Sequence, residues 1–178
     1  MKRTKILTIY DLCHIAIFTA IIAVMAQLTI PIPLVPLTMQ TFAIPLTGAV
    51  LGAKKGAIAA IVYLLLGAVG APVFAGFTGG VGWFVSTTAG FLWSFPLFAL
   101  IVGIAADKGG RIRLAVGLII GAAVTMAMGM VGVSLVAGID MHAAFRSAVY
   151  PFIIPELIKL ALVFLLAPKV RDAIGKVR

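Results

Sequence analysis

Two opposite charges stand one helical turn apart in an otherwise apolar run. In "YPFIIPELIKLALVFLLAP", residues 150 to 168, Glu156 and Lys159 interrupt what reads as a membrane-spanning helix, near its middle. A carboxylate or ammonium at the centre of such a helix costs roughly 2.5–3.5 kcal/mol on insertion scales, so these groups face protein or a wet cavity, not lipid. The i, i+3 spacing puts both on one helix face, close enough to pair, and Phe152 and Val163 extend that face on either side. A buried ion pair is often no more stabilising than apolar packing of the same volume, so stability alone is a weak reason for it. A polar binding site explains it better. The pair is neutral as a unit and sets acceptors beside donors. That suits a neutral head group with both N–H and C=O functions, such as a ureido ring, and also a zwitterion or a carboxylate reaching Lys159. A polyphosphate wants more cations, and a cationic guest wants an unpaired acid. Pro155 lacks an N–H and is expected to leave the carbonyl of Pro151 without its helical donor at the same depth.

Other chemistry finds few residues to work with. The two histidines, His14 and His142, fall on opposite sides of the expected topology, and neither H-E-x-x-H nor G-x-S-x-G occurs, so no catalytic residue and no metal ligand set is expected. Met126, Met128 and Met130 alternate around a helix and read as core filler. Cys13 is the single cysteine, so no internal disulfide forms. No G-x-x-x-x-G-K-[ST] is present, so any dependence on ATP must come from other chains. No cofactor is called for.

The elements that position the charge pair follow from composition. Of 178 residues 63% are hydrophobic and 11% charged, against about a quarter charged in soluble domains, and the mean hydropathy is +1.23. The bilayer is the expected solvent. Charge pairs and Pro/Gly clusters cut the chain into six apolar segments, about 12–29, 38–53, 56–71, 87–106, 113–137 and 147–167, each to be read as a span. The expected fold is all-α: a polytopic membrane protein, one compact bundle of six transmembrane helices formed by residues 1–178 as a single substrate-capture domain.

Basic residues set the orientation of that bundle. Lys2, Arg3 and Lys5 precede the first span, Lys54 and Lys55 separate the second and third, Lys108, Arg111 and Arg113 the fourth and fifth, and Lys169, Arg171, Lys176 and Arg178 follow the sixth. With six spans all fall on one side, leaving Arg146 opposite, so the positive-inside rule places both termini in the cytoplasm. A formal charge of +9 then reflects contact with anionic membrane lipid, and no nucleic-acid partner is implied. The basic, apolar N-terminus resembles a secretory signal but has span length and no clear A-x-A site, so cleavage is not expected.

The outer loops differ in character. "IPIPLVPLTMQ", residues 30–40, carries Pro31, Pro33 and Pro36 and is expected to be a stiff, non-helical wall. "GAPVFAGFTGGVGWFVSTTAGF", residues 70–91, has no charge and mixes glycines with Phe74, Phe77, Trp83 and Phe84. Glycine permits close backbone approach and the rings offer flat apolar surface, although interfacial aromatics also simply mark the headgroup belt.

The strings "PIPLVPLTMQTFAIPLTGAVLGAKKGAIA", "YLLLGAVGAPVFAGFTGG" and "YPFIIPELIKL" resemble, in order and over most of the chain, the BioY family of biotin-binding S components of energy-coupling-factor (ECF) transporters. The resemblance implies a protein of the prokaryotic cell membrane that captures biotin from outside and associates with a transmembrane coupling subunit and two cytoplasmic ATPases, which alone would hydrolyse ATP. It implies that Glu156 and Lys159 match an acidic residue and a lysine of the biotin pocket, and that Gln40 and the Phe74–Gly80 loop, with Thr78, Gly79 and Gly80, match its walls. Trp83, among the loop aromatics, and Tyr150, which opens the third string, complete the candidate set. The family commonly carries Asp where Glu156 stands, and a Gly-Pro-Thr-Gly-Gly-Tyr-like turn where this chain reads "STTAGF", Ser86 to Phe91.

Ala16, Ala20 and Ala23 follow an i, i+4, i+7 rhythm that makes one smooth face on the first span. Such faces commonly pack within a bundle. In S components resembling this chain they contact the coupling subunit, which implies a docking role. Two alternatives stay open at this point: a stand-alone secondary carrier using Glu156 as its proton site, and an S component for a different vitamin-like molecule.

Overall fold

The structure, a computed structural model, describes residues 7–175; Lys2, Arg3, Lys5, Lys176 and Arg178 lie outside the described residues. In chain order the elements are α1 (Ile9–Gln27), β1 (Thr29–Ile30), β2 (Leu37–Thr38), α2 (Gln40–Leu51), α3 (Ala53–Ala68), a 3-10 turn (Val81–Val85), α4 (Ala89–Asp107), α5 (Arg111–Ala137), α6 (Met141–Ala148), a second 3-10 turn (Tyr150–Phe152) and α7 (Ile153–Gly175). Helices make up 78% of the structure. Among the described residues α1, α4, α5 and the stretch Met141–Gly175 are long and apolar enough to cross a membrane. Helix α2, with 12 residues, and α3, with 16, reach only about 18 and 24 Å at 1.5 Å per residue.

Helix α4 is the central post, packing against α2, α3 and α5 through Leu92, Ser94, Phe95, Phe98, Ala99 and Val102. Small residues set how near its neighbours come. A Cβ at Gly48 would overlap the backbone of Ala99, and one at Gly90 the backbone of Met128. Close backbone approach of this kind substitutes for the hydrophobic drive that lipid does not supply.

Both described chain ends, the α2–α3 turn and the α4–α5 turn share one end of the bundle, where Leu7, Lys54, Lys55, Asp107, Arg171 and Gly175 surround a common cleft. The turn at Gly52 uses a left-handed φ of +83°, which glycine adopts without steric cost. Ion pairs close this end. Asp107 accepts from Arg171 Nη2 at 2.7 Å and from the Ala53 amide at 2.9 Å, while Arg171 Nη1 donates to the Ala49 carbonyl at 3.1 Å. Lys55 pairs with Asp11 at 2.8 Å, and Asp11 also completes a capping box with Thr8 at the start of α1.

The opposite end holds everything irregular. Residues 30–40 do not form a simple extended wall. Thr29–Ile30 and Leu37–Thr38 pair antiparallel, with Thr29 opposite Thr38, so the prolines sit in the hairpin's connection, where their missing N–H groups interrupt no ladder. This hairpin is a small departure from the all-α expectation. Thr87 donates to the Leu34 carbonyl at 2.7 Å and ties it to the second loop.

Helix α6 is the other unexpected element. Asp140 caps it by accepting from the amides of His142 and Ala143, and those bonds, Ala143's first, hold its carboxyl below the usual carboxylate range. Helix α7 begins at Ile153 and runs through Pro168 to Gly175. The expected span 147–167 is therefore displaced toward the C-terminus. Pro155 consequently lies in the first turn of α7, where a missing N–H deprives the helix of nothing, and the expected unpaired carbonyl within a continuous helix does not arise there.

Candidate functional site

The position of Glu156 follows from that helix start. It occupies the first turn of α7, not the middle of a span, so the partial positive charge of the helix N-terminus favours its carboxylate. Lys159 follows one turn later on the same buried face as Phe152, Val163 and Ala167. Nζ of Lys159 lies 2.9 Å from Oε2 of Glu156, both side chains being only 7% exposed.

Helix α2 supplies the rest of the polar cluster. Thr41 donates to Glu156 Oε2 at 2.6 Å and accepts from Lys159 Nζ, and Lys159 also donates to the Thr38 carbonyl at 3.2 Å. All three ammonium protons are thereby engaged by the chain. Among the described residues no hydrogen bond uses Oε1 of Glu156. Gln40, at the start of α2, accepts from Thr38 Oγ1 at 2.8 Å and donates one N–H to Tyr63, whose hydroxyl donates to the Val73 carbonyl at 3.1 Å. Among the described residues its second amide N–H has no acceptor.

These groups line one wall of a cavity with about 650 Å³ of empty space, the open solvent at its mouth included. Glu156, Lys159, Gln40, Thr38 and Thr41 form the polar wall. Phe74, Trp83, Phe91, Leu92, Phe95 and Met126 form an apolar one, and Phe152 adjoins the charge pair on its own face. Phe74 is the keystone of the aromatic side, with ring centroids 5.5 Å from Tyr63 and 6.0 Å from Trp83, both edge-on, a geometry that suits the ring quadrupoles.

Of the residues singled out in the sequence, Glu156, Lys159, Gln40, Phe74 and Trp83 thus meet around one cavity, although 116 positions separate Gln40 from Glu156. Thr78, Gly79 and Gly80 lie behind the lining. Thr78 bridges to Phe74 and donates to the Ala75 carbonyl at 2.8 Å, and a Cβ at Gly79 would overlap the Ala71 carbonyl. They shape the loop that carries Phe74. Tyr150 is 69% exposed and outside the lining. Ala16 and Ala20 are exposed, beside the buried face of Ile15, Phe18, Thr19 and Ile22 on α1, whereas Ala23 is half-buried and packs against the core.

Sequence reasoning missed several residues of the site. Thr38 and Thr41 carry no distinguishing signal, because a threonine beside an apolar helix is ordinary until its partners are known. Gln27, at the last position of α1, donates to the Val73 and Phe74 carbonyls at 3.4 and 3.1 Å and accepts from the Phe77 amide at 2.8 Å. It pins the loop that presents Phe74. A lone amide at a helix end, followed by a proline-rich loop, was the available hint.

A model of the BioY family matches residues 1–176. The chain is 36% identical over 157 residues to a probable biotin transporter BioY of Pyrococcus horikoshii, covering 88% of this chain and 93% of that one. It is 38% identical over 163 residues to the biotin transporter BioY of Thermotoga maritima, covering 90% and 95%. Among solved structures, the crystal structure of the S-component for biotin from an ECF-type ABC transporter superposes with a TM-score of 0.84 at 25% identity, covering 91% of this chain and 90% of that one.

Proposed function

The chain belongs to the BioY family, and from that premise we propose that it is the biotin-binding S component of an ECF-type uptake transporter. The observation that carries the proposal is the buried Glu156–Lys159 pair on one wall of a cavity whose other wall is aromatic. Biotin joins a ureido ring, rich in N–H and C=O groups, to an apolar body. Among the described residues Oε1 of Glu156 is an acceptor without a partner, and Gln40 has one amide N–H to spare. One suits a ureido N–H, the other a carbonyl. Lys159 holds the carboxylate in place from behind, its own protons taken by Glu156, Thr38 and Thr41. The low-dielectric aromatic wall strengthens each of these bonds.

Six spans with both termini cytoplasmic complete the reading. Lys54, Lys55, Lys108, Arg111, Arg113, Lys169 and Arg171 belong to the bundle end that carries the described chain ends, which supports the positive-inside assignment. The short α2 and α3 then cross in a locally thinned layer, with the loops at the other end filling the remaining depth. The cavity lies toward the end with the hairpin and the 70–86 loop, so biotin enters from outside. Nothing in the chain supplies energy for release. That step falls to a transmembrane coupling subunit and two ATPases, docked through the exposed alanines of α1.

Tryptophan fluorescence tests the binding claim, since Trp83 lines the cavity. Addition of biotin to purified protein should give a saturable change that Trp83→Phe removes; a titration with no saturable change in fluorescence or heat would count against the proposal.

A further inference from the structure

The apolar wall of the cavity contains one polar group with nothing to do. Thr125, midway along α5, is 2% exposed, lines the cavity beside Met126 and Phe91, and its hydroxyl has no hydrogen-bond partner among the described residues. A helical threonine ordinarily bonds back to the carbonyl four residues earlier, as Thr47 does to Ala43 at 2.7 Å. Thr125 makes no such bond to Gly121. An unsatisfied buried hydroxyl is costly, and each orphan of this kind in a folded protein calls for an explanation. A methyl group in place of the hydroxyl would fill the same volume among Phe91, Phe95 and Met126 without that cost.

We propose that Thr125 is a ligand-contacting, specificity-determining residue, whose hydroxyl bonds a neutral polar group of the bound molecule. The inference rests on the biotin-binding reading above and adds a further polar contact, from α5, to those of Glu156 and Gln40. The class of the contacted group follows from the surroundings. The one cation in the lining, Lys159, already donates to Glu156, Thr38 and Thr41, and a carboxylate held by a single neutral hydroxyl in an apolar wall would be left largely uncompensated. The contact is therefore to a ureido or thioether atom of biotin and not to its carboxylate. Because a site built to bond a polar atom rejects analogues lacking it far better than an apolar site can, Thr125 separates biotin from apolar molecules of similar shape.

The test is titration of purified wild type, Thr125→Val and Thr125→Ser with biotin and with biotin carboxamide, together with the melting temperature of each protein without ligand. Thr125→Val should bind biotin roughly fivefold to tenfold more weakly, the loss of about one neutral hydrogen bond. The loss should be the same for the carboxamide, Thr125→Ser should restore affinity, and the valine protein should melt no lower than wild type. Unchanged affinity in Thr125→Val, or weakened affinity accompanied by a lower melting temperature, overturns the inference while leaving biotin binding intact. A loss seen with biotin but not with the carboxamide overturns the assignment to a neutral group. Failure of wild type itself to bind biotin overturns the functional reading, and with it the assignment of Thr125 to that ligand.

Discussion

Replacing Glu156 by glutamine changes one atom and should cost the protein most of its affinity for biotin. The carboxylate is 7% exposed and receives Lys159 at 2.9 Å and the Thr41 hydroxyl at 2.6 Å on Oε2, leaving Oε1 to the cavity. A carboxamide fits the same space but leaves Lys159 without its counter-charge, and presents either a weaker acceptor or an N–H to the guest. Hydrogen bonds to a charged group contribute roughly 1.5–3 kcal/mol. We therefore expect a loss of at least about 1.5 kcal/mol, roughly tenfold or more in Kd. Lys159→Met should lose at least as much. It strands the carboxylate with only Thr41, and breaking a buried pair from one side costs about 3–5 kcal/mol of stability, so folding must be monitored separately by size-exclusion profile and thermal melt. The double variant Glu156→Gln, Lys159→Met is the decisive control. It carries no buried charge and should fold, since apolar or neutral replacements of buried pairs are often tolerated. Calorimetric titration of the three proteins reads the result. Wild-type affinity in a folded double variant would refute the reasoning and reduce the pair to a structural feature.

Three further outcomes follow from the same geometry. Ala20→Trp, on the exposed side of α1, should leave biotin binding within about twofold, because the residue is remote from the cavity lining, yet abolish co-purification with the coupling subunit; an unfolded protein would show that this face packs on the chain itself. Gln27→Leu removes the bonds to Val73, Phe74 and Phe77 and should weaken biotin by roughly fivefold to tenfold, chiefly through faster dissociation in a kinetic binding assay, whereas an unchanged off-rate would deny the loop its pinning role. Hydrogen exchange over residues 30–40 and 70–86 should slow on adding biotin by more than any change over 107–112, as ordering a cover on one side requires; equal protection at both ends would favour a carrier that alternates by itself.

The parts of this protein that the sequence made legible are those where membrane physics leaves little freedom. Each expected span overlaps a helix, because continuous apolar runs in lipid have no other way to satisfy their backbone, and the α2–α3 and α4–α5 turns fall at the lysines and arginines that marked them. The charge pair was legible for the same reason: a glutamate and a lysine in such a run stand out against their background. What escaped was local and polar. The hairpin at Thr29–Thr38 comprises two residues per strand, too few for a period-two pattern to register. Helix α6, "MHAAFRSA", is amphipathic within an otherwise apolar chain and was hidden in the approach to the last span. The threonines of the site differ from other threonines only in what they face. Thr41 bridges the ion pair and Thr125 bonds nothing, and no spacing rule distinguishes them. Among the other candidates, Gln40 and Phe74, carried from motif resemblance, and Trp83, read from the loop aromatics, reach the cavity, while Tyr150 lies three residues before α7 begins and turns outward.

The central claim is that this cavity selects biotin. The most direct measurement is to incubate the purified protein with an equimolar mixture of biotin and other water-soluble vitamins, pass it through a desalting column, and identify the retained molecules by mass spectrometry. Biotin should be retained at about one molecule per chain by wild-type protein and lost from Glu156→Gln. Retention of a different vitamin with biotin left in the flow-through, or equal retention of biotin by both proteins, would contradict it.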